Sequence, residues 1–132
     1  MVARRRSSAV TTAGEKWIRE AIRLAAEARE RGDEPFGALL VYDGAAVLEA
    51  RNAVNTDRDL TQHAELRLIS KASKEIDPAV LAAATLYTST EPCAMCAGAI
   101  YWASIPRMVF GLAASTLESM TDGSGLHQPS RR

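Results

Sequence analysis

Apolar residues recur along this chain with two different periods. From Gly14 to Arg31, the residues Trp17, Ile18, Ala21, Ile22, Ala25 and Ala28 return at helical spacing, with Glu and Arg on the opposite face. That spacing predicts an amphipathic helix, and Gly32 is placed to cap its C-terminus. Ala38 to Tyr42 is instead a short continuous apolar run. The turn pair Asp43-Gly44 and a second run from Ala45 to Ala50 follow it, which predicts a β-hairpin. Residues 51 to 61 are polar and loop-like. Thr61 is positioned to N-cap a helix through His63, Leu66, Ile69 and Ala72 that ends near Lys74, before Asp77-Pro78 breaks the chain. Thr85 to Ser89 predicts a third strand, and Pro92 leads into a second such helix, from Ala94 to Ala103. After Ile105-Pro106, Arg107 to Leu112 predicts a fourth strand. Strands alternating with helices indicate an α/β layered fold around a parallel or mixed sheet.

Residues 1 to 13, which include Arg4, Arg5 and Arg6, read as a disordered basic leader ahead of one domain spanning 14 to 132. The Gly/Ser-rich tail predicts no element. At 132 residues, with 47% apolar and 24% charged residues, the chain has the size and balance of one globular domain with its own core. Lys plus Arg and Asp plus Glu number 16 each, so no global positive field collects a polyanion. That counts against a dedicated nucleic-acid binder. No apolar run approaches the roughly 18 to 20 residues that span a bilayer, and Ser7 to Thr12 is no secretory core. Two cysteines in a C-x-x-C spacing fit a reducing compartment, so the expected location is cytoplasmic.

The chemistry concentrates in two short segments, His63-Ala64-Glu65 and Glu91-Pro92-Cys93-Ala94-Met95-Cys96. One imidazole and two thiolates make three zinc ligands. Structural zinc sites are normally closed by four protein ligands, whereas catalytic ones keep the fourth position for water. Helix N-termini beside Cys93 and Cys96 favour thiolate over thiol. Glu65, two residues past His63, is placed to act as the acid/base rather than as a further ligand. The C-x-x-C alone would also fit a thioredoxin-like redox pair, and the three ligands alone a metal-stabilised interaction module. His63 weighs against the first and Glu65 against the second. Met95 fits core packing.

The stretch from Glu34 to about Leu112 resembles the cytidine deaminase-like superfamily. The resemblance rests on Pro35-Phe36-Gly37-Ala38, Asn52, His63-Ala64-Glu65 and Thr88-Ser89-Thr90-Glu91-Pro92-Cys93-Ala94-Met95-Cys96. Within it, Pro35-Phe36-Gly37 and Gly98 to Ala103 are similar to bacterial guanine deaminases and related free-base deaminases. The resemblance implies a three-layer α/β/α fold with a five-stranded mixed sheet, a tight homodimer and one catalytic Zn2+ per chain, held by His63, Cys93 and Cys96. It implies that Glu65 is catalytic, that Asn52 and the Ala64 N–H hold the base, and that Phe36 and Trp102 wall its ring. A turn role for Asn52 and plain core packing for Phe36 and Trp102 are the alternatives. The implied reaction is hydrolytic loss of ammonia from a small-molecule nucleobase, by hydroxide attack on the amine-bearing ring carbon. Guanine is the leading substrate; a cytosine or triazine deaminase and a tRNA adenosine deaminase are the alternatives. The chain departs from guanine-binding members after the fourth strand, where the final strand and helix have little sequence to build them. Asp122 is a candidate contact for a base amine.

Overall fold

The computed structural model describes residues 4–5 and 12–112. In chain order the elements are β1 (Arg4–Arg5), α1 (Thr12–Glu30), β2 (Gly37–Tyr42), β3 (Ala45–Arg51), α2 (Val54–Asp57), α3 (Ala64–Glu75), α4 (Pro78–Leu81), β4 (Thr85–Thr90), α5 (Ala94–Trp102) and β5 (Arg107–Leu112). The sheet runs β1-β5-β4-β2-β3. β2 is antiparallel to both β3 and β4, while β5 is parallel to β4 and to the two-residue edge β1. This is the expected mixed sheet in an α/β frame. Within the stretch expected as a leader, the description is confined to Arg4–Arg5 and to the start of α1 at Thr12. Residues 113–132, including Asp122 and the expected final strand and helix, lie outside the described residues.

The β2 run is continuously apolar because both its faces are covered. Leu39 and Val41 point to one side and pack with Tyr87 and Val109 against Ala21 and Leu24 of α1. Ala38 and Leu40 point to the other side and pack with Leu86 and Met108 against Ala64, Leu68 and Ala72 of α3 and Ile100 of α5. Those two cores make the three layers. Asp43 (φ 53°) and Gly44 (φ 77°) both adopt the left-handed region between Tyr42 and its partner Ala45. Two such residues form the tight turn whose twist matches the strands. At Gly37 the sheet and α1 nearly touch: a Cβ there would lie 2.5 Å from Leu24 Cβ, 2.6 Å from Ala21 O and 2.7 Å from Ala25 N. Among the described residues no helix is long and apolar enough to cross a membrane.

Three details differ from the sequence reading. The helix expected to be capped by Thr61 starts later, because His63 itself is the N-cap of α3, and Thr61 donates to Asp59 instead. The segment from 51 to 61 is not all loop, since it contains α2. Asp77-Pro78 does break the chain, but it also starts the short α4, with Asp77 accepting from the Ala79 N–H and Pro78 in the first turn, where it lacks no bond.

Candidate active site

Two helix starts meet at the carboxyl side of the sheet. His63 caps α3 and Cys93 caps α5, each with extended backbone, and Cys96 lies one turn into α5. Their ligand atoms all fall within 4.8 Å of one another. His63 Nδ1 lies 3.5 Å from Cys93 Sγ and 3.6 Å from Cys96 Sγ. Tetrahedral zinc, with bonds of about 2.1 Å to nitrogen and about 2.3 Å to sulfur, separates such a pair by about 3.6 Å. The three residues therefore fit zinc without rearrangement. Both cysteines are free and buried, with no disulfide between them.

Electrostatics prepare the same site. Without metal, the two thiols share one proton. Cys96 donates to Cys93, and together with His63 and the Cys96 backbone N–H this pulls Cys93 down to about 3 despite its burial. Cys96, as the donor in that bond and deeply buried, is pushed up. His63 is raised by its hydrogen bond to Cys93, against the opposing effect of burial. A dication displaces these shared protons, which is the chemistry expected of a zinc donor set.

Glu65, the second residue of α3, is 4% exposed, and burial raises its pKa above the usual carboxylate range. One oxygen has a partner that sequence reading missed. Thr88 on β4, fully buried, donates its hydroxyl to Glu65 Oε2 at 3.0 Å and lies 3.4 Å from the Gly37 carbonyl. The next residue, Ser89, accepts from the Gly37 N–H at 3.2 Å. Thr88 and Ser89 were visible in the sequence only as strand residues leading to Pro92. Their hydroxyl chemistry is revealed by β4 lying beside β2.

Asn52 is 1% exposed at the end of β3. Its N–H donates to the Phe36 carbonyl, and the next N–H, that of Ala53, donates to Gln62 O beside His63. These bonds tie the Asn52–Ala53 segment to the residue before His63. Its Oδ1 accepts from the Val54 N–H at 3.0 Å, which is the turn role weighed above. Its Nδ2, buried, has no hydrogen-bond partner. A buried amide nitrogen without a partner carries a desolvation cost of about 1–3 kcal/mol, which a ligand acceptor relieves. Ala64 is the first residue of α3, where helical geometry leaves the N–H without an intrahelical acceptor. Phe36 is 9% exposed and belongs to the core cluster that contains Ala64. Trp102 is not brought to this group. It ends α5, six residues and about 9 Å of helix beyond Cys96, is 82% exposed and stands edge-on to Tyr101.

The frame and the site both have known counterparts. A probable cytosine deaminase of Schizosaccharomyces pombe is 44% identical over 112 residues, covering 83% of this chain and 66% of the relative. A guanine deaminase of Bacillus subtilis is 47% identical over 103 residues, covering 77% and 65%. A tRNA-specific adenosine deaminase of Bacillus subtilis is 40% identical over 100 residues, covering 76% and 62%. The chain thus spans just under two thirds of the length of each of these relatives. A solved guanine deaminase from Bacillus subtilis matches with a TM-score of 0.71 at 39% identity, covering 80% of this chain and 68% of that one. The model of the cytidine and deoxycytidylate deaminase zinc-binding region matches residues 11–112, nearly the whole described frame along with His63, Cys93 and Cys96. That match spans well over half of the chain, and the chain belongs to the family of the cytidine and deoxycytidylate deaminase zinc-binding region.

Proposed function

We propose that the protein hydrolyses the exocyclic amine of a free nucleobase, with guanine as the preferred substrate, and releases ammonia. The observation that carries this reading is the Asn52 amide. Its Oδ1 already accepts from Val54, and the polar group it leaves without a partner is a donor, Nδ2. The Ala64 N–H is a second donor. Guanine presents two acceptors, N7 and O6, along one edge, where adenine has N7 beside an amino donor. The 47% identity to a guanine deaminase supports the same choice.

His63, Cys93 and Cys96 would hold the zinc. When bound, zinc supplies a Lewis acid that lets water deliver hydroxide near neutral pH. Glu65 takes the proton released from that water and passes it to the ring nitrogen next to the carbon under attack. It then carries a proton to the departing amine, so that water and the amine-bearing carbon become carbonyl and ammonia. A carboxylate that both accepts and donates works best with a raised pKa, which its burial provides. Thr88 holds one oxygen of that carboxylate in place. Phe36 supports the Ala64 side of the ring pocket.

A tRNA adenosine deaminase is the second reading, favoured by the 40% identity to such an enzyme. The balance of 16 basic against 16 acidic residues counts against it. The test is ammonia release by zinc-replete protein from a panel of free bases, nucleosides and a tRNA anticodon stem. Guanine turnover with silent nucleosides and RNA is expected. Release from the RNA alone, falling steeply with salt, would replace this proposal with the second reading. Glu65→Gln is expected to keep its zinc and lose turnover; an active Glu65→Gln enzyme would refute the acid/base role.

We extend the proposal to a homodimer. α5 leaves Tyr101 and Trp102 exposed together with Met95, which the sequence assigns to the core, and such apolar side chains on one helix are where a second chain would pack. Sedimentation at the monomer mass would refute it.

A further inference from the structure

The N-terminus of α2 has no cap of its own. Its N-cap position is Ala53, which offers no side-chain acceptor. Two N–H groups of its first turn are nevertheless held by side chains from outside the helix. Val54 N–H donates to Asn52 Oδ1. Thr56 N–H donates to Asp33 Oδ1 at 2.8 Å, and the Thr56 hydroxyl donates to Asp33 Oδ2 at 2.6 Å. Asp33 lies 23 residues upstream, in the turn after α1, and is 6% exposed. Its own placement is fixed: Gly32 takes φ 88°, and the Asp33 N–H donates to Ala28 O, closing the end of α1. Asn55 Nδ2 adds a bond of 2.8 Å to Gly32 O.

We infer that Asp33 is a positioning residue for base recognition: by capping α2 from outside, it fixes the Val54 N–H that orients the Asn52 amide. This inference rests on the proposed role of Asn52 in holding the base. The reasoning is geometric. The Asn52 side chain has one bond that distinguishes its two ends, the one from Val54 to Oδ1. While Val54 stays in place, Nδ2 must face the other way, where it has no partner within the protein. Val54 is the first residue of a four-residue helix, too short to hold itself. The charged cap at Asp33 ties that short helix to the end of α1, which is anchored on the sheet by Ala21 and Leu24. Without it, α2 frays and the Asn52 amide is free to turn its oxygen to the base.

The experiment compares wild type, Asp33→Ala, Asp33→Asn and Asn52→Ala as zinc-loaded full chains. In Asp33→Ala the backbone amides of Val54 and Thr56 and the Asn52 side-chain amide are expected to exchange at least about tenfold faster, with Leu68 and Ala72 and the zinc content unchanged. KM for guanine is expected to rise about tenfold, with kcat within about twofold, as expected for lost ligand binding. In the Asn52→Ala background, adding Asp33→Ala is expected to leave KM where it is. Asp33→Asn, isosteric with one acceptor kept, is expected to show the same pattern at about threefold, and decides the matter if Asp33→Ala does not fold. Unchanged exchange at Val54 and Asn52 would overturn the inference, as would a KM effect that adds in full to Asn52→Ala. If wild type turns over no base, the proposed function fails, and the exchange at the Asn52 side chain alone decides this inference.

Discussion

Substituting Gly37 by Ala tests the packing on which the active site stands. The added Cβ would sit 2.5 Å from Leu24 Cβ, 2.6 Å from Ala21 O and 2.7 Å from Ala25 N. Ordinary contacts between such atoms are about 3.5–4.0 Å, so α1 must move roughly 1 Å off the sheet. Two of the three atoms are backbone, and no rotamer change relieves them. Overpacking of a close-packed core costs about 1–3 kcal/mol and occasionally more. Here the Gly37 N–H also donates to Ser89 Oγ and its carbonyl lies against the Thr88 hydroxyl, contacts that a shifted β2 weakens. We expect a loss of about 3 kcal/mol, a large part of the roughly 5–15 kcal/mol total of a domain this size. In urea, with zinc in excess, that is a fall in midpoint of about 1–3 M at unchanged slope. Because Thr88 spans Gly37 and Glu65, the folded fraction should also lose turnover. A change in stability within about 0.5 kcal/mol would refute the reasoning, since it would mean that α1 does not pack against β2 at this point.

Gly98→Ala is the counterpart: nothing lies within 4 Å of a Cβ there, inside α5, so the protomer should gain about 0.5–1 kcal/mol from helix propensity. Gly98 lies one turn from both Met95 and Trp102, on the face proposed to pair, so the same Cβ should weaken the dimer while the isolated protomer gains; sedimentation run beside the urea titration reads both, and an unchanged dimer would move the proposed interface off α5. Thr88→Val removes the hydroxyl at nearly constant shape and should lower kcat about tenfold with KM and zinc content held, whereas Thr88→Ser should restore it; equal kcat in all three would rule out the Thr88–Glu65 bond as a support of catalysis. Cys93→Ala should lose zinc, read by metal analysis after dialysis, because the two remaining ligands, His63 and Cys96, no longer enclose an ion. Zinc binding to the apoprotein at pH 7 should release about one to two protons, from Cys96 and in part from His63, since Cys93 is already a thiolate. His63 is raised, so its proton competes with the metal more strongly as pH falls through that raised value, and zinc affinity should drop on the acid side; affinity independent of pH between 5 and 8 would contradict the donor assignment.

The amino-acid sequence by itself determined whatever depends on near neighbours. The two hydrophobic periods placed α1, the β2–β3 hairpin and β5 nearly to the residue, because helix and strand periodicity and the Asp43-Gly44 turn are local properties. The metal ligands were legible for a similar reason: C-x-x-C and H-x-E are short patterns whose side chains have little other use together. The start of α3 was read one cap too early, since Thr61 and His63 are both able to precede a helix and only the turn at Asp59 decides between them. Tertiary structure decided what joins distant residues. Strand order sets β4 beside β2, which brings Thr88 to Glu65 and Ser89 to Gly37, 52 residues apart in the latter pair. The approach of α1 to the sheet requires glycine at 37, although nothing in the neighbouring residues says so. Asp33 reads as an ordinary turn carboxylate until Thr56 is folded against it, and Asn52 as an ordinary turn amide until its nitrogen is buried without a partner. Each of these depends on which surfaces meet, and the pattern of one segment holds no record of the surface that will cover it.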